Sequence, residues 1–110
     1  MEPSSPKRRA CAFLIIVVTV FVRIEFDPVK RQRTLDERGL DMAEAGAALD
    51  GPNITYEDRR WDYAETRVIT IGRLRGRLVF IAWTPRWNAC RIISMRKANV
   101  REEALYGGRV

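Results

Sequence analysis

From Arg67 to Met95 the chain reads as three strands in a row, which limits the fold more than any other feature. Arg67–Leu74 and Arg77–Thr84 are rich in β-branched and apolar residues on either side of Arg75-Gly76, a two-residue break suited to a hairpin. Pro85-Arg86-Trp87-Asn88 then turns the chain into a third strand, Cys90–Met95. Strands joined this closely pair antiparallel, so a mostly antiparallel sheet is expected.

Upstream the pattern is helical. Arg23–Phe26 alternates as a short strand, and Asp27-Pro28 opens a helix with a carboxylate at the N-cap and proline at the first helical position. That helix runs to Arg38, with Gly39 as its left-handed stop. Asp41-Met42-Ala43-Glu44 has the form of a capping box for a second helix, which Asp50-Gly51-Pro52 ends. Ile54–Glu57 reads as an edge strand and Asp58–Tyr63, without a period, as a loop. Asn99 and Glu102 form a second capping box for a short last helix ending at Gly107-Gly108. The order β-α-α-β-β-β-β-α makes an α+β domain with two N-terminal helices, a small sheet and a short C-terminal helix.

At 110 residues there is room for one domain, and 46% apolar with 31% charged residues fits a folded one. The chain has no histidine, so histidine-based catalysis and the usual zinc sites are excluded. Cys11 and Cys90 are too few for a disulfide framework. The net charge of +6 is unevenly spread. Residues 24–65 hold eleven acids and six bases, whereas residues 67–101 hold nine bases and no acid. Such a stretch is the footprint of a polyanion site or of a surface for an acidic partner; the plainer alternative is a pair of solvated hairpins.

Residues 1–22 are set apart as an apolar extension. Ala10–Val22 carries no charge and follows Lys7-Arg8-Arg9, as in a secretory signal, but Val20, Phe21, Val22 and Arg23 offer no small-residue cleavage site. The run is also shorter than the ~18–20 residues of a membrane span. It would suit a buried strand equally well. A misplaced start is the reading favoured, because a GTG start codon at Val22 would be read as valine from an upstream start.

Several strings together resemble the BrnT-type toxins of bacterial type II toxin–antitoxin pairs. They are Arg23-Ile24-Glu25-Phe26-Asp27-Pro28, Glu37-Arg38-Gly39-Leu40-Asp41, Glu57-Asp58 and Asp62-Tyr63-Ala64-Glu65-Thr66-Arg67. Ile71-Gly72, Trp83-Thr84-Pro85-Arg86 and Arg91-Ile92-Ile93-Ser94-Met95-Arg96-Lys97-Ala98 complete the set. The last string is the most specific. The likeness covers roughly residues 23–107, so the toxin-like domain is taken as 23–110. Members of that family begin close to the Ile-Glu-Phe-Asp-Pro stretch, which supports the misplaced start. Two departures stand out: Glu37-Arg38-Gly39 replaces a frequent Lys-His-Gly, and Trp87-Asn88 replaces a Gly-Asp turn.

The resemblance implies a RelE-like fold and an endoribonuclease that halts translation in the cytoplasm. It also implies a ribbon-helix-helix antitoxin of the BrnA type, whose complex with the toxin binds the promoter DNA. Cofactors, metal and a stable membrane association are not expected. The alternative is a catalytically silent corepressor that only binds the antitoxin. A membrane-anchored protein built on Ala10–Val22 is a third reading.

RNA cleavage without histidine would rely on arginine and lysine to hold charge that develops on the phosphate. The catalytic candidates are Arg67, Arg91, Arg96 and Lys97, with Glu65 and Tyr106 as proton handlers. Arg77, Arg86 and Trp87 are the expected outer RNA contacts, while Trp83 is assigned to the core. Strict alternation along Cys90–Met95 would put Arg91, Ile93 and Met95 on one face and Cys90, Ile92 and Ser94 on the other. Arg96 and Lys97 would leave the strand end together and swing to one ligand. Arg91 would otherwise pair with an acid such as Asp62 or Glu65.

Overall fold

The computed structural model describes residues 23–110. The apolar run 10–22, with its readings as signal, strand, anchor or misplaced start, lies outside the described residues. The elements are β1 (Arg23–Glu25), α1 (Pro28–Arg38), a 3-10 turn (Met42–Glu44), α2 (Ala45–Asp50) and β2 (Asn53–Glu57). They continue with β3 (Val68–Leu74), β4 (Arg77–Arg86), β5 (Ala89–Lys97), α3 (Val100–Tyr106) and a closing 3-10 turn (Gly107–Arg109). This is an α+β fold. Its single sheet has the order β1-β5-β4-β3-β2, antiparallel except where β1 runs parallel to β5.

Local chemistry accounts for most boundaries. The Asp27 carboxylate accepts from Lys30 N at 3.0 Å and starts α1; Gly39, at φ 68°, ends it with a bond to the Leu35 carbonyl. The Arg75-Gly76 turn has positive φ at both residues, 53° and 79°, the geometry that matches the twist of a two-residue hairpin. The capping box expected at Asp41–Glu44 does not form. Asp41 accepts from Ala43 N and from the Arg31 fork, while Glu44 turns away to pair with Arg75, so the segment opens as a 3-10 turn. Strand β4 also runs further than expected. Pro85 and Arg86 continue it beyond the last β3 pair, Val68↔Trp83, where a missing N–H leaves no β3 partner unsatisfied.

The sheet is apolar on both faces, and the two faces are covered unequally. On one, Val79, Ile81, Trp83, Cys90, Ile92 and Met95 pack with Leu40, Met42, Ala45, Ala48 and Leu49 beneath the N-terminal helices. On the other, Ile69, Ile71, Leu78 and Ala98 meet Phe80 and Tyr106, and among the described residues the cover is the short α3, the chain end and the loop after β2. Within the first layer, buried Trp83 donates to Thr70 at 2.9 Å; Thr70 in turn shares a 2.9 Å bond with Thr55.

The alternation expected for β5 fails, and the cause is one residue. Ala82 pairs with Ser94 but Trp83 pairs with Ile92, leaving Ile93 as a bulge. Beyond it the facing is reversed. Met95 joins Cys90 and Ile92 under the helices, whereas Ser94 and Arg96 share the other face with Phe80 and Ala82. Arg96 and Lys97, being successive, point to opposite sides of the sheet.

Gly72 marks the closest approach of helix to sheet: a Cβ there would stand 2.9 Å from the Ala48 carbonyl oxygen. Gly72→Ala should therefore lower stability by about 1–3 kcal/mol. Gly108→Ala, which meets no atom within 4 Å, should leave the melting temperature unchanged. Equal melting temperatures for the two variants in thermal denaturation would contradict this packing.

Candidate functional site

The thinly covered face holds a cavity of about 850 Å³. Its floor is Ile69, Phe80 and Ala82 of β3 and β4, and its walls come from β2, the loop after β2, the end of β5 and α3. Five arginines reach it: Arg59, Arg60, Arg67, Arg96 and Arg101. Three of these are paired with the cleft's own acids, Arg59 with Glu57 at 3.5 Å, Arg60 with Asp58 at 2.9 Å and Arg96 with Glu102 at 2.8 Å. Neither Arg67 nor Arg101 has a carboxylate within ion-pair distance among the described residues. The cleft thus carries a surplus of positive charge on two guanidinium forks.

Arg96 is fixed by two partners. Its two terminal nitrogens grip both Glu102 oxygens at 2.8 Å, and its guanidinium lies 4.3 Å over the Phe80 ring. The same Glu102 closes the α3 capping box, accepting from Asn99 N at 2.9 Å while Asn99 caps Glu102 N. The Arg96 fork, followed by the Asn99 backbone N–H, holds the Glu102 carboxyl down at about 2. Asp58 is nearly sealed from water and accepts from Arg60 and from the Tyr63 hydroxyl at 2.9 Å. Those bonds, the Arg60 fork foremost, keep it ionised and far below the usual carboxylate range despite its burial. Tyr56 and Tyr106 bring two phenols to the cavity. Burial, with the Tyr106 phenol adding to it, raises the Tyr56 phenol, so it stays protonated.

Of the residues expected from the sequence, the fold brings Arg67, Arg96 and Tyr106 to this cleft. The others it places elsewhere. Lys97 and Arg77 line a separate cavity of about 390 Å³ on the helix-covered side, with Leu40, Leu74 and Arg75. Arg91 shares the cleft face but sits at the β1 edge, 3.9 Å from Glu25, so its acid partner is neither Asp62 nor Glu65. Glu65 is tied to Arg86 at 2.8 Å in an exposed pair outside the cleft. Trp87 stands 96% exposed at the β4–β5 turn, and Trp83 is buried as expected. The expected joint action of Arg96 and Lys97 on one ligand is therefore corrected: the sheet separates them. Arg38 donates to the Met95 carbonyl at 2.6 Å and ties α1 to β5.

Sequence reasoning missed Arg60, Arg101 and Tyr56. Arg59-Arg60 falls in an acid-rich stretch, and only the path of the loop carries it to the basic face. Arg101 was counted in the acid-free run, yet nothing in its spacing separated it from a solvated helix charge.

A family model for a ribonuclease toxin, BrnT, of type II toxin–antitoxin systems matches residues 26–102. The chain belongs to the BrnT family. The match takes in β2 to β5 and the first turn of α3, hence every cleft residue except Leu105 and Tyr106. BrnT membership makes the protein a ribonuclease toxin by family and gives it an antitoxin as partner. No curated protein matches the chain. Among the described residues, no helix of this BrnT chain is long and apolar enough to cross a membrane, and no group of three or more Cys, Asp or Glu side chains is placed to hold a metal ion.

Three carboxylates of this BrnT fold, Asp41, Asp58 and Glu102, are held below their ordinary values, Asp41 and Glu102 at about 2. A folded value below the unfolded one gives stability that is present above the unfolded value and lost as pH falls toward the folded value. Urea midpoints should therefore stay level from pH ~7 to ~5 and fall steadily between ~4 and ~2. A midpoint that held level down to pH ~2 would contradict these pairings.

Proposed function

We propose that this BrnT chain is a metal-independent endoribonuclease that cuts RNA in the arginine cleft and so stops translation in the cytoplasm. A ribbon-helix-helix antitoxin of the BrnA type is its proposed partner, and the complex is the form that meets promoter DNA. The fold is read as RelE-like. The observation that carries the proposal is the pair of unneutralised forks, Arg67 and Arg101, facing an apolar floor beside two phenols.

Internal cleavage joins the 2′-oxygen to phosphorus and breaks the bond from phosphorus to the 5′-oxygen. The 2′-hydroxyl gives its proton to solvent water, and a second proton, from a cleft phenol that water later reprotonates, reaches the departing oxygen. Negative charge on the phosphoryl oxygens rises in between, and a guanidinium fork binds two such oxygens without ever losing its own proton. Arg67 and Arg101 are assigned that work, with Arg96 as a third, oriented donor on the rim. Glu102, held near 2, is too weak a base to take the 2′ proton and is assigned to fixing Arg96. Tyr56 and Tyr106, whose hydroxyls line the cleft, are assigned to donate a proton to the leaving oxygen. Support for metal independence comes from the cleft carboxylates, each of which already has an arginine partner.

Arg67→Ala and Arg101→Ala should each lower kcat by about 100- to 1,000-fold with little change in KM, as expected for donors that strengthen only in the transition state. Lys97→Ala should cleave like the wild type. Cleavage of an RNA oligonucleotide should also survive EDTA. Loss of activity on chelation with recovery in magnesium would overturn the metal-independent reading, and full activity in both arginine variants would remove the cleft from the reaction.

A further inference from the structure

The loop between β2 and β3 is built around one carboxylate. Asp58 takes the Arg60 backbone N–H at 3.1 Å, the Arg60 side chain at 2.9 Å through both of its oxygens, and the Tyr63 hydroxyl at 2.9 Å. The backbone closes the same loop: Asp58 N donates to the Arg67 carbonyl at 2.8 Å. At the far end buried Thr84 donates to the Thr66 carbonyl at 2.6 Å, which pins the residue before Arg67 to β4. Inside this frame the Tyr63 ring lies 4.1 Å from the centre of the Arg67 guanidinium.

The choice of a ring as neighbour matters for chemistry. A carboxylate would hold Arg67 by occupying its N–H donors and cancelling its charge. A ring face attracts the cation through its quadrupole, leaving the in-plane donors and the charge available to an anion. The ring can do this only while its own plane is fixed, and the bond from its hydroxyl to Asp58 fixes it. A charged group buried like Asp58 is costly unless fully satisfied, and here four bonds satisfy it.

We propose that Tyr63 and Asp58 are positioning residues, which aim Arg67 at the substrate phosphate without touching substrate themselves. The inference rests on the cleft being the RNA-cleaving site. Its consequence is that the hydroxyl of Tyr63 acts on turnover only through Arg67.

A double-mutant cycle tests it, with kcat and KM measured on an RNA oligonucleotide and melting temperature measured alongside. Tyr63→Phe keeps the ring but loses the anchor; kcat should fall about tenfold while KM holds. In the Arg67→Ala background the same substitution should cost nothing further, because the group being aimed is gone. Equal losses in both backgrounds would overturn the proposal, since a general loosening of the loop would act with or without Arg67. Should Tyr63→Phe fail to fold, Asp58→Asn, which keeps an acceptor oxygen but not the charge, takes its place in the cycle with the same expectations. An impaired Arg67→Ala with an unimpaired Tyr63→Phe would sink this inference alone. An unimpaired Arg67→Ala would sink the reading of the cleft as well.

Discussion

The side chains that face the cleft depend on Ile93, the extra residue in β5. A regular strand would have continued the alternation set by Cys90 and Ile92, sending Ser94 and Arg96 under the helices and Met95 into the cleft. A guanidinium beneath α1 and the 3-10 turn would lie among Leu40, Met42 and Ile92, away from water. The bulge costs one ladder position and reverses the facing of everything after it. Met95 then fills the core completely, and Arg96 stacks on Phe80 within reach of Glu102.

That reversal only creates a site because the two faces of the sheet are covered differently. The N-terminal helices seal one face so closely that Gly72 can carry no side chain against Ala48. The other face has α3, seven residues long, and the loop after β2. Between them the apolar floor stays open, and the polar groups around it are managed by pairing. Asp58 and Glu102 each give up their acceptor capacity to an arginine and to local backbone or hydroxyl donors. Acid and base cancel pair by pair until Arg67 and Arg101 remain. The positive character of the cleft is thus a remainder, smaller and better placed than the run of nine bases in the sequence suggests.

Both capping-box patterns read equally well in the sequence, and their fates show where local reasoning ends. Asn99 and Glu102 form theirs, since the nearby fork of Arg96 holds the glutamate in the pose the cap needs. Asp41 and Glu44 do not, because Arg31 and Arg75 draw the two carboxylates apart. The difference lies in which arginine each acid meets, and all three of those arginines lie outside the motif itself. The expected outer contacts fared similarly. Arg86 and Glu65 are 21 residues apart yet neutralise one another, which no charge count along the chain reveals.

What the sequence determined by itself is everything that short-range physics decides. Asp27-Pro28 and Gly39 bound the first helix, Arg75-Gly76 makes the tight hairpin, and the absence of histidine leaves arginine to handle negative charge. The family strings were also readable, and the BrnT match agrees with them. Only the tertiary structure decided which arginines share a site. Neighbours in sequence, Arg96 and Lys97, part company across the sheet, while Arg60, Arg67 and Arg101 converge from a loop, a strand end and a helix. Side-chain direction on a strand has a period of two, so a single bulged residue reassigns every later position, and that insertion is settled by packing against a partner strand that local sequence does not contain.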